Sequence, residues 1–145
     1  MIAFVFAFMF VSAIAVDYAH AEGTEAVAEK AAVENAVPAA EAWLALVDDG
    51  AYEQSWAEAA SMFQAHLDSP EWAKMVDAVR TPLGLVQSRV LESATYASEL
   101  PGAPDGHYVV IQYKTAFANK KQAMETVTPM LDKDGIWRVS GYYIR

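Results

Sequence analysis

The sequence predicts an α+β domain in which three N-terminal helices pack on a curved, four-stranded antiparallel sheet. Two patterns support this prediction. Apolar residues recur at helical spacing through the middle of the chain, and strand-like runs follow one another through short turns in its last third. The clearest runs are His107 to Phe117, Gln122 to Leu131 and Ile136 to Ile144. Because short turns join them, these runs are expected to pair as an antiparallel meander.

The first 21 residues are predicted to be an export signal that is removed from the mature protein. Residues Ile2 to Val16 form an almost unbroken apolar run, and Ala19-His20-Ala21 has the A-x-A pattern that predicts cleavage after Ala21. No Lys or Arg precedes the run, so either the signal is weak or the true start lies upstream. The run breaks at Asp17, short of the roughly 20 apolar residues of a membrane span, which favours a cleaved signal over an uncleaved anchor. The expected location is periplasmic or secreted, with no stable membrane insertion after cleavage.

Charge and cysteine content exclude several function classes. The chain has no cysteine, which excludes disulfides, thiolate catalysis and Cys-ligated zinc or iron–sulfur sites. Its formal charge of −9 opposes contact with a polyphosphate, so nucleic acid is not an expected partner. An apolar fraction of 54% is enough for the domain to be held together by its core.

A leader and a first helix are predicted after the signal. Residues 22–37 are rich in Ala, Glu and Val but have little to bury, so they are predicted to be a flexible or loosely helical leader. Pro38 suits the first turn of a helix, because its fixed φ and missing N–H are tolerated there. That helix is expected to end at Gly50, and the single α+β domain is expected to span residues 38–145.

Two more helices are predicted before the sheet. Ala51 to Leu67 carries an apolar stripe at helical spacing and is predicted to be one amphipathic helix. Ser69-Pro70-Glu71 is a typical helix start, with Ser69 as the N-cap. Thr81-Pro82 is expected to end this third helix, because the residue before a proline is pushed out of helical geometry.

Strand patterns fill the remainder of the chain. Val86 to Ser98 is rich in strand-forming residues, and a Pro- and Gly-rich loop follows it. In the next run, odd positions such as Val109, Ile111 and Tyr113 form one apolar face. Pro129 indicates that the following strand is irregular or lies at an edge there, because proline cannot donate to a strand ladder.

Four segments carry a family resemblance: Ala42-Trp43-Leu44-Ala45-Leu46-Val47-Asp48, Tyr52 with Ser55-Trp56, Arg80-Thr81-Pro82-Leu83-Gly84, and Asp134-Gly135-Ile136-Trp137-Arg138-Val139-Ser140-Gly141-Tyr142-Tyr143. They resemble an exported bacterial family known as domain of unknown function 4019, over roughly Pro38 to Arg145. The order of helices and strands is similar to the cone fold of the nuclear transport factor two-like superfamily, which implies a cone-like sheet. That fold hosts enzymes, binding modules and dimerisation domains, so the resemblance implies no single function.

Aromatic and charged residues are predicted to converge between the helices and the sheet. A cone fold would hold an apolar or mildly anionic ligand there, although the same aromatics serve equally well as a packed core. The candidate ligand-binding residues are Trp43, Tyr52, Trp56, Arg80, Tyr113, Glu125, Arg138 and Tyr143. Arg89 is also expected near the interior. An inward Arg80 or Arg138 would indicate an anionic ligand, whereas pairing with Glu125 would be structural.

No metal, cofactor or catalytic motif emerges from the remaining polar residues. Asp132-Lys133-Asp134-Gly135 lacks the further ligands of a calcium loop and is predicted to be a hairpin turn. His66 and His107 have no carboxylate at helical ligand spacing, so no metal site is expected. Asp105 near His107 fits turn chemistry as well as it fits a general base.

The outer face of the sheet is predicted to be partly apolar, which would allow a homodimer. By strand parity, Tyr108 and Val110 fall on this face together with Tyr142 and Ile144. A solvated face is mainly polar, so a second copy is one way to cover these side chains; scattered exposed aromatics are the other.

Three functions therefore stay open. The first is a non-enzymatic binding or protein-interaction module, which the lack of a nucleophile–base pair favours. The second is a small enzyme of isomerase or hydrolase type, with Glu125, Asp105 or His107 as acid–base groups and Tyr113 as donor. The third is a purely structural dimerisation domain.

Overall fold

The computed structural model describes the backbone of residues 14–145 and the side chains from residue 22 onward. This part of the chain has four helices followed by four strands, which confirms the predicted α+β class and the order of its elements. The elements are α1 (Ile14–Asp48), α2 (Tyr52–Ala57), α3 (Ser61–His66), α4 (Ser69–Leu83), β1 (Val86–Ala97), β2 (Tyr108–Phe117), β3 (Lys120–Leu131) and β4 (Trp137–Ile144).

The predicted export signal, residues 1–21, lies outside the residues whose side chains are described, so cleavage after Ala21 stays a prediction. Within residues 14–145, no helix combines the length and the hydropathy that crossing a membrane requires.

Helix α1 runs through Pro38, so the prediction that a helix starts at this proline is wrong. Ala36 and Ala40, on either side of it, are fully buried, and Val33 packs against the same core. Pro38 itself is exposed, as is Glu34, whose carbonyl loses its helical donor and can bond to water instead. Burial of the neighbouring apolar residues therefore outweighs the helix-breaking tendency of the proline. Residues 22–30 of the predicted leader are helical and exposed.

The single helix predicted for Ala51 to Leu67 is in fact two short helices, α2 and α3, which raises the number of helices from three to four. At the break, the Ala60 N–H donates to the Val139 carbonyl of β4 at 2.8 Å. The Asp132 carboxylate accepts from the backbone N–H of Ser61 at 2.9 Å and from its hydroxyl at 2.6 Å. These long-range hydrogen bonds hold Ala60 in an extended conformation. The spacing of apolar residues had predicted a continuous helix at this point.

Both ends of α4 differ from the prediction. Asp68, rather than Ser69, is the N-cap, and its carboxylate accepts a hydrogen bond of 2.9 Å from a backbone N–H in the first turn. The prediction that Thr81-Pro82 ends the helix is wrong, because the helix passes through Pro82 and ends at Leu83. Asn119 donates hydrogen bonds to the Pro82 and Leu83 carbonyls, at 3.0 and 2.9 Å, and so satisfies the last turn. Asp and Ser are about equally favourable as N-cap residues, so the sequence alone did not show which of Asp68 and Ser69 caps the helix.

The four strands pair in the order β1-β2-β3-β4, all antiparallel, which confirms the meander. Directly opposed residues share a face, and the pair Ile111 and Val127 lies on the face that packs against the helices. The cone-like curvature of the sheet stays a prediction. The core between the helices and this face includes Trp43, Leu44, Val47, Trp72, Val76, Val109, Ile111, Tyr113, Val127 and Val139.

A β-bulge reverses the alternation of side chains in β4. The register with β3 shifts opposite Pro129, so Ser140 is an extra residue. Val139 is buried on the helix face, and simple alternation would place Tyr143 there too. The extra residue brings Tyr142 to that face instead and leaves Tyr143 55% exposed. Pro129 correctly indicated an irregular position in β3. It did not indicate that the irregularity would change which side chains of β4 face the helices.

The four residues predicted to form an apolar outer face do not share one. The bulge turns Tyr142 toward the helices, and Ile144 lies opposite the inward-facing Glu125. Tyr108 is only 1% exposed, and its hydroxyl donates to the Pro104 carbonyl of the preceding loop at 2.6 Å. Val110, two residues from Tyr108 on the same face of β2, is partly buried. The prediction of this patch is therefore wrong.

Candidate functional site

Two predicted site residues, Arg80 and Glu125, belong to a buried network of charges at the C-terminal end of α1. Arg80 Nη2 donates to Asp48 Oδ1 at 2.7 Å. Arg89 Nη1 donates to Asp48 Oδ2 at 2.6 Å, and Arg89 Nε donates to Glu125 Oε1 at 2.8 Å. Two arginines thus neutralise two carboxylates, so the network carries no net charge.

Glu125 is fully buried, and its carboxylate has hydrogen bonds from three different strands. Thr115 of β2 donates to Oε1 at 2.5 Å, and Tyr142 of β4 donates to Oε2 at 2.5 Å. Arg89 of β1 reaches both oxygens, at 2.8 and 3.2 Å. A buried carboxylate without partners would be strongly unfavourable, and these donors offset that cost.

The pKa values in the network shift away from neutrality. Burial works against ionisation of Asp48, but the hydrogen bonds from Arg89 and Arg80 leave its pKa below the ordinary value. Burial also works against the charge of Arg89, yet Asp48 and Glu125 raise its pKa. Burial, together with the charge of Glu125, raises the pKa of Tyr142. These shifts keep Asp48 and Arg89 ionised and Tyr142 protonated at neutral pH.

Arg80 and Tyr113 each keep one buried polar atom without a hydrogen-bond partner among the described residues, Nε and the hydroxyl respectively. The Arg80 guanidinium lies 5.1 Å from the ring centroid of Phe117, which provides a cation–π contact. Burial raises the pKa of Tyr113 to about 12. The Tyr113 hydroxyl makes no hydrogen bond to Glu125, although the two residues lie directly opposite each other on β2 and β3. The role of Tyr113 as a donor in the enzymatic alternative stays a prediction.

A surface depression of about 360 Å³ connects the network to solvent. Asp48, Arg80, Tyr52 and Gly50 are among the residues that line it. The Asp48 side chain is 26% exposed, whereas that of Arg80 is only 6% exposed. Both charged groups already bind each other, so the depression does not offer an unpaired charge to a ligand.

Aromatic rings fill the space between the helices and the sheet. The ring centroids of Trp43 and Trp72 are 5.7 Å apart, and those of Trp43 and Tyr142 are 5.4 Å apart. Phe63 meets Trp72 edge to face at 5.0 Å. Rings at these distances are in contact. Of the two interpretations of these aromatics, the geometry favours the packed core.

The indole groups of the core are hydrogen-bonded through a residue that the sequence did not single out. Ser55 is fully buried; its carbonyl accepts from Trp43 Nε1 at 2.7 Å and its hydroxyl accepts from Trp72 Nε1 at 2.9 Å. The same hydroxyl donates to the Tyr52 carbonyl at 2.7 Å. The segment Ser55-Trp56 stood out only for its aromatic residue, because a serine in an amphipathic helix gives no sign of burial.

Three other predicted site residues lie away from the charge network. The Trp56 indole donates to the Leu67 carbonyl at 2.6 Å. Arg138 makes two hydrogen bonds of 2.8 Å to Asp134 in the turn that precedes β4. Tyr143 is adjacent in β4 to the inward-facing Tyr142, and its own side chain is 55% exposed. The segment Asp132 to Gly135 is a turn, as predicted, and among the described residues no three His, Asp or Glu side chains are grouped as metal ligands.

An apolar groove of about 220 Å³ lies on the surface between α4 and β4. Three large side chains along it are about half exposed: Met75 at 53%, Val79 at 50% and Tyr143 at 55%. Grouped apolar side chains on a surface are typical of a docking site. None of the residues that line the groove carries a charge; they are Trp72, Met75, Val76, Val79, Tyr142, Tyr143 and Ile144.

Strand β4 is an edge of the sheet, and its backbone is open beside this groove. Met124 and Arg145 exchange both of their backbone hydrogen bonds, at 2.9 and 3.0 Å. Bonded and non-bonded pairs alternate along an antiparallel ladder, so Tyr143 also bonds to β3. The N–H and carbonyl groups of Tyr142 and Ile144 therefore point away from β3, toward the open edge.

The other half of the β4 edge is covered by the link between α2 and α3. The Val139 carbonyl, which also points away from β3, accepts the hydrogen bond from Ala60. The exposed part of the edge is thus confined to the residues that adjoin the groove, where backbone groups and apolar side chains occur together.

A protein family described as a protein of unknown function, DUF4019, matches residues 39–142. The chain belongs to this family. The match confirms the family resemblance seen in the sequence, and it places the charge network and most of the groove within the DUF4019 region. No curated protein matches the chain. The likeness to the nuclear transport factor two-like cone fold stays a prediction.

Proposed function

We propose that this DUF4019 protein is a non-enzymatic interaction domain that binds an extended, apolar partner segment against β4. The observation that carries the proposal is the groove of Met75, Val79 and Tyr143 beside an open strand edge. In β-augmentation, a sheet edge supplies main-chain hydrogen bonds and an adjacent groove selects alternate side chains. The exposed end of β4 offers both.

The state of the interior supports an interaction role over catalysis. The aromatic rings expected to line a pocket contact one another, and the buried charges of Arg80, Arg89 and Glu125 are paired within the protein. The pKa shifts in this network lead away from neutral pH. Binding at the surface therefore has more support than a small ligand or a reaction inside the domain.

The proposed location is the periplasm or the outside of the cell. The support is the apolar run Ile2 to Val16 followed by Ala19-His20-Ala21. A partner that meets the domain there would be another exported protein with an exposed apolar strand or tail.

Peptide selection tests the binding surface even though the natural partner is unidentified. Random peptides displayed on phage are selected on the folded, mature domain, and an enriched peptide is synthesised for affinity measurements. We expect enriched peptides to carry apolar residues at alternate positions, because alternate side chains of an added strand face the groove. The Val79→Glu substitution should weaken their binding at least about tenfold.

Val90→Glu is the matched control, because Val90 is 60% exposed on β1, far from the groove along the sheet order. It should leave peptide affinity unchanged. Peptides that bind the Val79→Glu variant as tightly as the unmodified domain would overturn the proposal, as would a selection that enriches no peptide.

A further inference from the structure

We propose that the segment held against β4 is the β4 strand of a second copy, paired antiparallel about a two-fold axis at Tyr143. The inference rests on the proposed function, since it names the partner of the same surface. It differs from the outer-face dimer that strand parity predicted, because the contact runs along the edge of the sheet.

The open backbone groups dictate the register of this pairing. Tyr142 and Ile144 are the residues whose N–H and carbonyl groups point away from β3. In an antiparallel pair, residues that present such groups to each other exchange both hydrogen bonds. Tyr142 therefore pairs with Ile144 of the second copy, and Ile144 pairs with its Tyr142. This register maps onto itself under a two-fold rotation, as an isologous interface requires.

The side chains agree with the same register. Tyr143 lies opposite Tyr143 of the second copy at a non-hydrogen-bonded position, where side chains approach most closely. Aromatic pairs at such positions stabilise a sheet. On the other face, the side chain of Ile144 of the second copy lies opposite Tyr142, at the groove beside Met75 and Val79, while each Tyr142 ring stays in its own core. Ile144 is therefore the apolar side chain that the second copy adds beside the groove.

Charge favours this edge for contact between two copies. The chain carries a formal charge of −9, so two copies repel each other over most of their surfaces. The groove residues are uncharged, so contact between two copies there brings no like side-chain charges of the lining together. The opposite edge, β1, carries Arg89 and Glu92 and has two register irregularities, features that discourage edge pairing.

The lack of native cysteine makes a single-cysteine experiment specific. Tyr143→Cys would place two thiols across the proposed axis, at a non-hydrogen-bonded pair whose Cα separation lies within the range that a disulfide spans. Val90→Cys, on the exposed part of β1, is the control. After mild oxidation, we expect a covalent dimer from Tyr143→Cys and monomer from Val90→Cys on a non-reducing gel. Equal amounts of dimer from both variants would overturn the proposal.

Sedimentation of the cysteine-free domain provides the second measurement, in case the loss of the Tyr143 ring weakens assembly. We expect dimers at micromolar protein concentrations. The dissociation constant of the dimer should rise at least about tenfold in Val79→Glu and stay unchanged in Val90→Glu. A monomer at roughly 100 µM, together with no cross-link, would overturn the second-copy inference. If selected peptides still depend on Val79 in that case, the proposed function survives; if they do not, both fail.

Discussion

At the scale of single residues, the buried charge network joins parts of the chain that are far apart in sequence. Asp48 comes from α1, Arg80 from α4, Arg89 from β1 and Glu125 from β3. Tyr142 adds β4 through its hydrogen bond to Glu125. Because each charge depends on the others for compensation, the network specifies one arrangement of helices on the sheet.

Removal of Glu125 should therefore be strongly destabilising. Glu125→Ala leaves Arg80 and Arg89 with a single carboxylate, Asp48, and thus one buried positive charge in excess. We expect the free energy of unfolding to fall by about 3–5 kcal/mol. Urea denaturation measures this change in the free energy of unfolding. Glu92→Ala is the control, because its ion pair with Lys114 is exposed and should contribute less than about 1 kcal/mol. Similar losses in the two variants would show that the network is not structural.

The low pKa of Asp48 predicts an acid-dependent loss of stability. A carboxyl group whose pKa is lower in the folded state stabilises the protein above its unfolded pKa, here 3.8, and loses that contribution as pH falls through the folded value. The unfolding free energy of the unmodified domain should thus decline below about pH 4. In Asp48→Asn, the free energy of unfolding should be lower than in the unmodified domain at neutral pH and should decline less steeply as the pH falls. Parallel pH profiles for the two proteins would contradict the prediction.

The sequence predicted part of this network. Arg80, Arg89 and Glu125 were expected near the interior because they lie on elements with apolar stripes. Asp48 was not, since a carboxylate at a helix C-terminus opposes the helix dipole and suggests a turn. Only the two arginines that approach it from elsewhere in the fold explain its position.

At the scale of elements, long-range contacts explain where local patterns failed. The break between α2 and α3 depends on Ala60 bonding to Val139 and on Ser61 bonding to Asp132. The inward position of Tyr142 depends on a bulge. Neither the helix break nor the bulge leaves a periodic pattern of apolar residues in the sequence. The hairpin at Asp132 to Gly135, by contrast, was predictable from its turn residues alone.

Helix α1 provides an element-scale test. A proline in a helix interior is up to about 3 kcal/mol less favourable than alanine, whereas a proline in the first turn is well tolerated. We expect Pro38→Ala to raise the unfolding free energy by about 1–3 kcal/mol, because Pro38 lies inside α1.

Pro70→Ala is the matched control, because Pro70 lies in the first turn of α4. It should be neutral or slightly destabilising. Equal effects of the two substitutions in thermal or urea unfolding would indicate that the helix begins at Pro38 after all.

At the scale of the whole molecule, the fold class and the order of the elements followed from the sequence, because helical and strand periods reflect burial directly. The candidate surface did not follow from it. Met75 and Val79 had the spacing of core residues, and only the packed structure shows that α4 buries Trp72 and Val76 more deeply and leaves the other two outside. The proposed function depends on these two exposed side chains, Met75 and Val79.

The exchange rates of three consecutive backbone amides in β4 test the central claim most directly. Tyr143 bonds to β3 in every state, whereas the N–H groups of Tyr142 and Ile144 point to the open edge. Hydrogen exchange followed by NMR at increasing protein concentration, and with a selected peptide, should show Tyr142 and Ile144 becoming protected while Tyr143 is protected throughout. If Tyr142 and Ile144 exchange at unprotected rates under all of these conditions, nothing binds at this edge and the account is wrong.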